Sequence, residues 1–188
     1  MRLLRDLDLL ALVAWISLDT LIVLSRRRRD ARRADRLSGL GISLLNWTAI
    51  VAAVSIAQRG IGVPRWGAEL LQLEGLALFA AGVALRAAAI VQLGPFHMPT
   101  VAIRPDHRLV DTGLYRRIRH PSYLGAIAGF LGFALGLGSW ASVVPVLGLS
   151  VPAYLYRIQV EERALLEALG QPYADYCRRT HRLIPGVY

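Results

Sequence analysis

Two short stretches of this largely apolar chain carry side chains suited to chemistry. The first, HRLVDTGLYRRIRHPSYLG at 107–125, sets two histidines, two tyrosines, four arginines and two glycines between long hydrophobic runs. Its end, HPSY, puts a proline after His120 and a helix-capping Ser122 ahead of the next apolar run. A helix start of this kind aims backbone N–H groups at whatever lies in its mouth and favours a carboxylate or phosphate there. The second stretch, YRIQVEERALLEALGQPYADYCRRTHRLIP at 156–185, reads as a helix ended by Gly170 and Pro172, with a short amphipathic helix resuming at Tyr173 and Tyr176. At roughly 100° per residue, Arg157 and Glu161 fall about 40° apart, inside the arc held by Ile158, Ala164, Leu165 and Ala168. Gln159, Arg163 and Glu167 take the opposite, solvated side, and Glu162 sits at the border. An inward ion pair costs desolvation unless something polar shares its pocket. The pattern therefore points either to a salt bridge that closes the helix onto its neighbours or to a site for a charged ligand.

The elements that must position these residues are membrane helices. The chain has 188 residues, 55% of them hydrophobic, and a mean hydropathy of +0.44, more apolar than a soluble domain of this size. Apolar runs at 7–24, 40–57, 68–91, 124–137 and 140–156 give about five transmembrane helices, the first three near the length a bilayer requires. The uncharged LGLGSWAS at 135–142 makes the last two a tight helical hairpin. The expected architecture is an all-α integral membrane protein: residues 1–91 hold the first three spans, and residues 92–188 form a catalytic region of loop, two spans and carboxy-terminal helices. Four spans are the alternative count.

The net charge of +9 comes from 22 arginines and no lysine, with a cluster at 26–36, RRRRDARRADR. By the positive-inside rule this loop is cytoplasmic, which places the amino terminus outside and both chemical stretches and the carboxy terminus in the cytoplasm, in the plasma (inner) membrane. A basic run between two spans, with no aromatic residue interleaved, sets topology and meets anionic lipid rather than nucleic acid. The lone Cys177 makes neither an internal disulfide nor a metal site. The first span is too long and too charged at its end for a cleaved signal peptide and reads as an anchor. Of the charges inside the runs, Glu69 and Arg86 lie near span ends, where snorkelling suffices, whereas Asp19 and Glu74 lie deeper. The connection from 92 to 121 is about thirty residues long, far beyond an ordinary helix connection, and its composition is not that of a disordered linker.

At HRLVDTGLYRRIRHPSYLG, followed by RIQVEERALLEALGQPYADY and a closing RLIP, the sequence resembles the isoprenylcysteine carboxyl methyltransferase family with its prokaryotic relatives, over about 92–185. The resemblance implies an integral membrane methyltransferase that uses S-adenosyl-L-methionine, releases S-adenosyl-L-homocysteine and acts on a lipophilic or prenylated acceptor. It implies a cofactor held by His107, Arg108, Leu109, Val110, Tyr115, His120, Pro121, Ser122, Tyr123 and Glu161, with Arg157 meeting the substrate. Arg157 and Glu161 are then the catalytic pair, with no metal. Where some relatives contact the cofactor through an amide side chain, this chain has a residue near Thr100, which leaves that contact in doubt.

A carboxylate acceptor, ionised at neutral pH, needs no base and would be oriented by Arg157, while Glu161 would balance the cationic cofactor. A lipid amine, as in phospholipid methylation, would need one, and Glu162, His107 or His120 would be the candidates. The YADYCRRTHRLIPGVY tail and RHPSY also resemble membrane sterol reductases, which use NADPH, although those chains are longer and fit HRLVDTG less well. The acceptor and the oligomeric state are not legible in the sequence.

Overall fold

A computed structural model describes Leu12, residues 33–94, residues 109–186 and Tyr188. The expected first span, most of the arginine cluster, and His107 and Arg108 lie outside the described residues. Among those described, the chain is helical, with no strand beyond an isolated parallel bridge between Ile118 and His181. Helix α1 is Arg33–Gln58 and α2 is Ala68–Leu93. A 3-10 turn, Gly113–Arg116, precedes α3, Pro121–Gly136. The long α4, Trp140–Leu169, begins as a 3-10 turn and passes through a π-helical segment at Val146–Ser150 before becoming regular. Helix α5 is Gln171–Arg179.

Three of these helices are long and apolar enough to cross a membrane: Gly41–Gln58 within α1, all of α2, and α4. Helix α3 is a shorter apolar helix of 16 residues. The second and third expected spans thus match α1 and α2 to within a few residues, and the expected hairpin joins α3 to α4. Its turn is made by Gly138 in the left-handed region, φ 78°, with its N–H donated to the Leu135 carbonyl at 2.8 Å. Ser139 Oγ donates to the Ile61 carbonyl at 2.6 Å, and the Trp140 N–H donates to the Gly62 carbonyl at 3.1 Å. The hairpin turn and the α1–α2 connection therefore meet at one end of the bundle.

Glycine governs the packing of α2 on α3. In a bilayer no hydrophobic force drives helices together, so close backbone approach and dispersion must do it. A Cβ on Gly75 would lie 2.2 Å from the backbone N of Gly136, one on Gly82 would lie 2.4 Å from that of Gly129, and one on Gly132 would lie 2.2 Å from that of Phe79. Backbone touches backbone along the whole contact, and none of the obstructing atoms is a flexible side-chain end. At one end of this seam Arg86 reaches across from α2, Nη1 donating to the Ser122 carbonyl at 3.3 Å and lying 3.2 Å from Ser122 Oγ. Arg86 thus ties the start of α3 to α2, where the sequence suggested simple snorkelling. Glu69 lies in the first turn of α2, and Glu74 is exposed on its outer side.

Replacing Gly132 with leucine is expected to separate the two helices and destabilise the protein by more than an overpacked soluble core, whose cost is about 1–3 kcal/mol. Gly148, where a Cβ would meet nothing within 4 Å, is the matched control for substitution by alanine. Unfolding in detergent of both variants measures the contrast, and equal stabilities would show that the seam can yield.

Candidate active site

The loop, the start of α3, the second half of α4 and the carboxy-terminal segment converge at the other end of the bundle. The 3-10 turn that opens the loop's described part is held by Gln92 at the end of α2. Its Nε2 donates to the Thr112 carbonyl at 2.6 Å, and its Oε1 accepts the Leu114 N–H at 3.0 Å. Gly113 lies between these contacts with φ 54°, a left-handed conformation that glycine adopts without strain, and a Cβ there would collide with the Gln92 amide. Tyr115 is thereby buried. Its hydroxyl donates to the Ala89 carbonyl at 3.2 Å and its own carbonyl accepts the Tyr176 hydroxyl at 2.7 Å. With both polar ends engaged by protein, Tyr115 offers the site an aromatic wall.

Residues 117–120 run beside 181–182. The His181 N–H donates to the Arg117 carbonyl at 2.9 Å, the Arg119 N–H to the His181 carbonyl at 2.8 Å, and the His120 N–H to the Arg182 carbonyl at 3.1 Å. Glu162 locks this pairing from α4. Its Oε1 accepts from Arg119 Nε at 2.8 Å and lies 3.3 Å from His120 Nε2, while its Oε2 accepts from Arg182 Nε at 2.8 Å. Arg119 goes on to the carbonyls of Cys177 and Thr180. Arg182 stacks over the Tyr188 ring at 5.1 Å. Glu162, at the border of the helical wheel in the sequence, is thus an almost buried anion shared by two arginines and a histidine.

Proline sets the start of α3. The residue before a proline is disfavoured in the helical region, and proline itself is at ease at the first helical position. His120, at φ −124° and ψ 54°, is therefore the N-cap and Pro121 the first residue of the helix. Ser122, expected to cap, lies inside the first turn with Arg86 on its hydroxyl and carbonyl. His120 stacks on Tyr123 with ring centroids 5.6 Å apart. The Tyr123 hydroxyl donates to Glu161 Oε2 at 2.7 Å, and the Arg157 guanidinium bonds the same hydroxyl. Arg157 is 3% exposed and Ile158 beside it is fully buried, so the inward face drawn from the wheel is inward in the fold, with Tyr123 between the guanidinium and the carboxylate.

A pocket partly open to solvent lies among these elements. Leu109, Val110, Tyr115, His120 and Glu161, five of the residues named from the resemblance, line it. Pro121, Ser122, Tyr123 and Arg157, also named from the resemblance, are not among the residues that line it. Arg119, Tyr173 and Tyr176 also line it; Tyr173 and Tyr176 were expected only to open a short amphipathic helix, and the place of all three depends on contacts from distant segments. Burial raises the hydroxyl pKa values of Tyr115, Tyr173 and Tyr176 above the usual phenol range, so all three remain neutral. The Tyr173 hydroxyl is buried with no hydrogen-bond partner among the described residues. A polar atom left in that state at a pocket wall suits a ligand with hydroxyls or amines.

The apolar helices and their packing define a helical integral membrane protein with a pocket at one end of its bundle. Residues 75–167 match the model of the isoprenylcysteine carboxyl methyltransferase (ICMT) family. The match begins within α2, earlier than the sequence motifs suggested, and so includes the glycine seam. The chain is similar to protein-S-isoprenylcysteine O-methyltransferase of Schizosaccharomyces pombe, 33% identical over 62% of this chain and 50% of that one. It is also similar to protein-S-isoprenylcysteine O-methyltransferase B of Arabidopsis thaliana, 30% identical over 60% and 58%. The structure of the eukaryotic intramembrane Ras methyltransferase ICMT superposes with a TM-score of 0.62 at 25% identity, covering 77% of this chain and 52% of that one. The chain spans about half the length of these relatives.

Glu162→Gln is expected to leave Arg119 and Arg182 without their anion and to loosen residues 181–188, at a cost of about 3 kcal/mol for a broken buried pair. Hydrogen exchange at the Arg119, His120 and His181 amides, which donate in this pairing, reads the loosening directly. Unchanged protection there would show that the backbone pairing holds without the carboxylate.

Proposed function

We propose that the protein is an S-adenosyl-L-methionine-dependent methyltransferase of the membrane that esterifies the carboxylate of a prenylated cysteine or a similar isoprenoid acid. The observation that carries this reading is the Arg157–Tyr123–Glu161 arrangement at the pocket wall, within the stretch that matches the family. The cofactor supplies, when bound, a methyl group activated by a sulfonium. Glu161 provides the anion that complements a cationic ligand, and its carboxylate is held in place by the Tyr123 hydroxyl. Tyr115 and Leu109 contribute apolar walls, and the Tyr173 hydroxyl a hydrogen bond. His107 and Arg108 complete the cofactor loop in this reading.

Arg157, one helical turn before Glu161, orients the acceptor carboxylate by charge and by the forked geometry of its guanidinium. An ionised carboxylate is itself the nucleophile, so alignment rather than proton removal is the chain's task. The structure favours this over methylation of a lipid amine. Of the base candidates, His120 and Glu162 contact each other at 3.3 Å, and Glu162 is further held by two arginines, an arrangement that fixes the carboxylate as an anion rather than as a proton acceptor. The acceptor is lipophilic in this reading because the site lies at the end of apolar helices. The site faces the cytoplasm of the plasma (inner) membrane, with the amino terminus outside, on the strength of the arginine cluster at 26–36.

Arg157→Ala is expected to retain S-adenosyl-L-homocysteine within about twofold while abolishing methyl transfer, and Glu161→Ala to weaken that binding tenfold or more, on the order of 1–2 kcal/mol. Calorimetry and transfer of labelled methyl to an S-prenylcysteine measure both. Equal losses of thermal stability in the two variants, equal cofactor affinities and recovery in the double variant would make the pair a structural clamp. A reporter fused after Tyr188 is expected to be active only in the cytoplasm.

A further inference from the structure

The stretch of pocket wall that carries Val110 and Tyr115 is fastened to the end of α2 by Gln92, a residue that does not itself line the pocket. The primary amide of Gln92 meets the turn as a length of backbone would. Its Nε2 donates to the Thr112 carbonyl at 2.6 Å, and its Oε1 accepts the Leu114 N–H at 3.0 Å. Gly113 sits between the two bonds, and a Cβ there would collide with the amide. Side chain and glycine are matched, one occupying the space the other leaves.

Both bonds lie at the exposed surface, where water competes for the same groups and the net worth of each is small. Ties of this kind open locally without unfolding the rest of the protein. The other end of the turn is fastened differently: the Tyr115 carbonyl accepts the Tyr176 hydroxyl of α5 at 2.7 Å, and this bond is buried. Residues 112–115 are thus a strap from α2 to α5 along one side of the pocket. It has a releasable tie at Gln92 and a protected one at Tyr176. Pocket-lining residues flank the releasable tie on both strands, Leu93 directly after Gln92 and Tyr115 directly after Leu114.

We propose that Gln92 is a positioning residue for the methyl donor: by closing the 112–115 strap it sets how long the cofactor stays bound, acting through Tyr115 and Val110 and not by touching the ligand. The proposal deepens the methyltransferase reading above and rests on it.

Release of S-adenosyl-L-homocysteine is measured for the wild type and for Gln92→Ala, together with hydrogen exchange at the Leu114 amide. The variant is expected to release the ligand about tenfold faster and to exchange faster at Leu114. Its KM for S-adenosyl-L-methionine is expected to rise in proportion, with kcat within about twofold. Gln92→Glu keeps the acceptor for the Leu114 N–H and loses the donor to Thr112, and is expected to fall between the two. Gly113→Ala breaks the same tie from the opposite side, so its effect on release and that of Gln92→Ala are expected not to add in the double variant. Unchanged release from Gln92→Ala, whatever the exchange at Leu114, overturns the proposal and leaves the methyltransferase reading standing, as do effects that add. A wild type that does not bind S-adenosyl-L-homocysteine overturns both.

Discussion

The functional end of the molecule depends on one carboxylate. Glu162 gathers Arg119, His120 and Arg182 from segments 43, 42 and 20 residues away in the chain. Through them it fixes the loop, the start of α3 and the carboxy-terminal segment against α4. A buried anion with a single cationic partner is weak evidence of stability, since desolvation offsets the attraction. Here both oxygens are engaged, and Arg119 spreads its remaining donors over the carbonyls that end α5. The cluster leaves the neighbouring Glu161 turned to the pocket. Adjacent acids on one helix thus face about 100° apart, one holding the walls and the other lining the pocket.

What could be read in the sequence was whatever a single element's periodicity or a local turn determines. The spans at 40–57 and 68–91 were legible because apolar length is a property of one helix. So was the inward face of Arg157, for which a wheel suffices. Glu162 could not be read this way: a wheel knows only its own helix, and the partners of this residue come from elsewhere. Ser122 looked like a cap because capping residues are recognised by type, but Pro121 set the boundary two residues earlier and made His120 the cap. Gln92 carried no signal, since an amide at a helix end is common and only the turn at 112–114 gives it a purpose. The glycines of α3 were visible as composition, but their counterparts on α2 became meaningful only once the two helices were placed together.

Helix α4 connects the bilayer with the pocket. Its first part carries Ser142, whose hydroxyl donates to the Ala53 carbonyl of α1 at 2.9 Å, and its last part carries the site's charges. The π-helical segment between them, flanked by Pro145 and Pro152, changes the rotational phase of the helix. The two halves can therefore present their polar faces to different neighbours, α1 on one side and the loop with α3 on the other, without a break in the chain.

The glycine seam also restricts how the bundle can deform. Ordinary helix pairs slide by exchanging rotamers at their contact, a shear spread over many small side-chain adjustments. Between α2 and α3 few side chains can exchange at Gly75, Gly82, Gly125 and Gly132, because there the backbone of one helix lies directly on the backbone of the other. Gln92 on α2 and His120 at the start of α3 therefore sit on what is mechanically a single block. The departures from regular α-helical geometry lie instead in the first half of α4, in its 3-10 and π-helical turns.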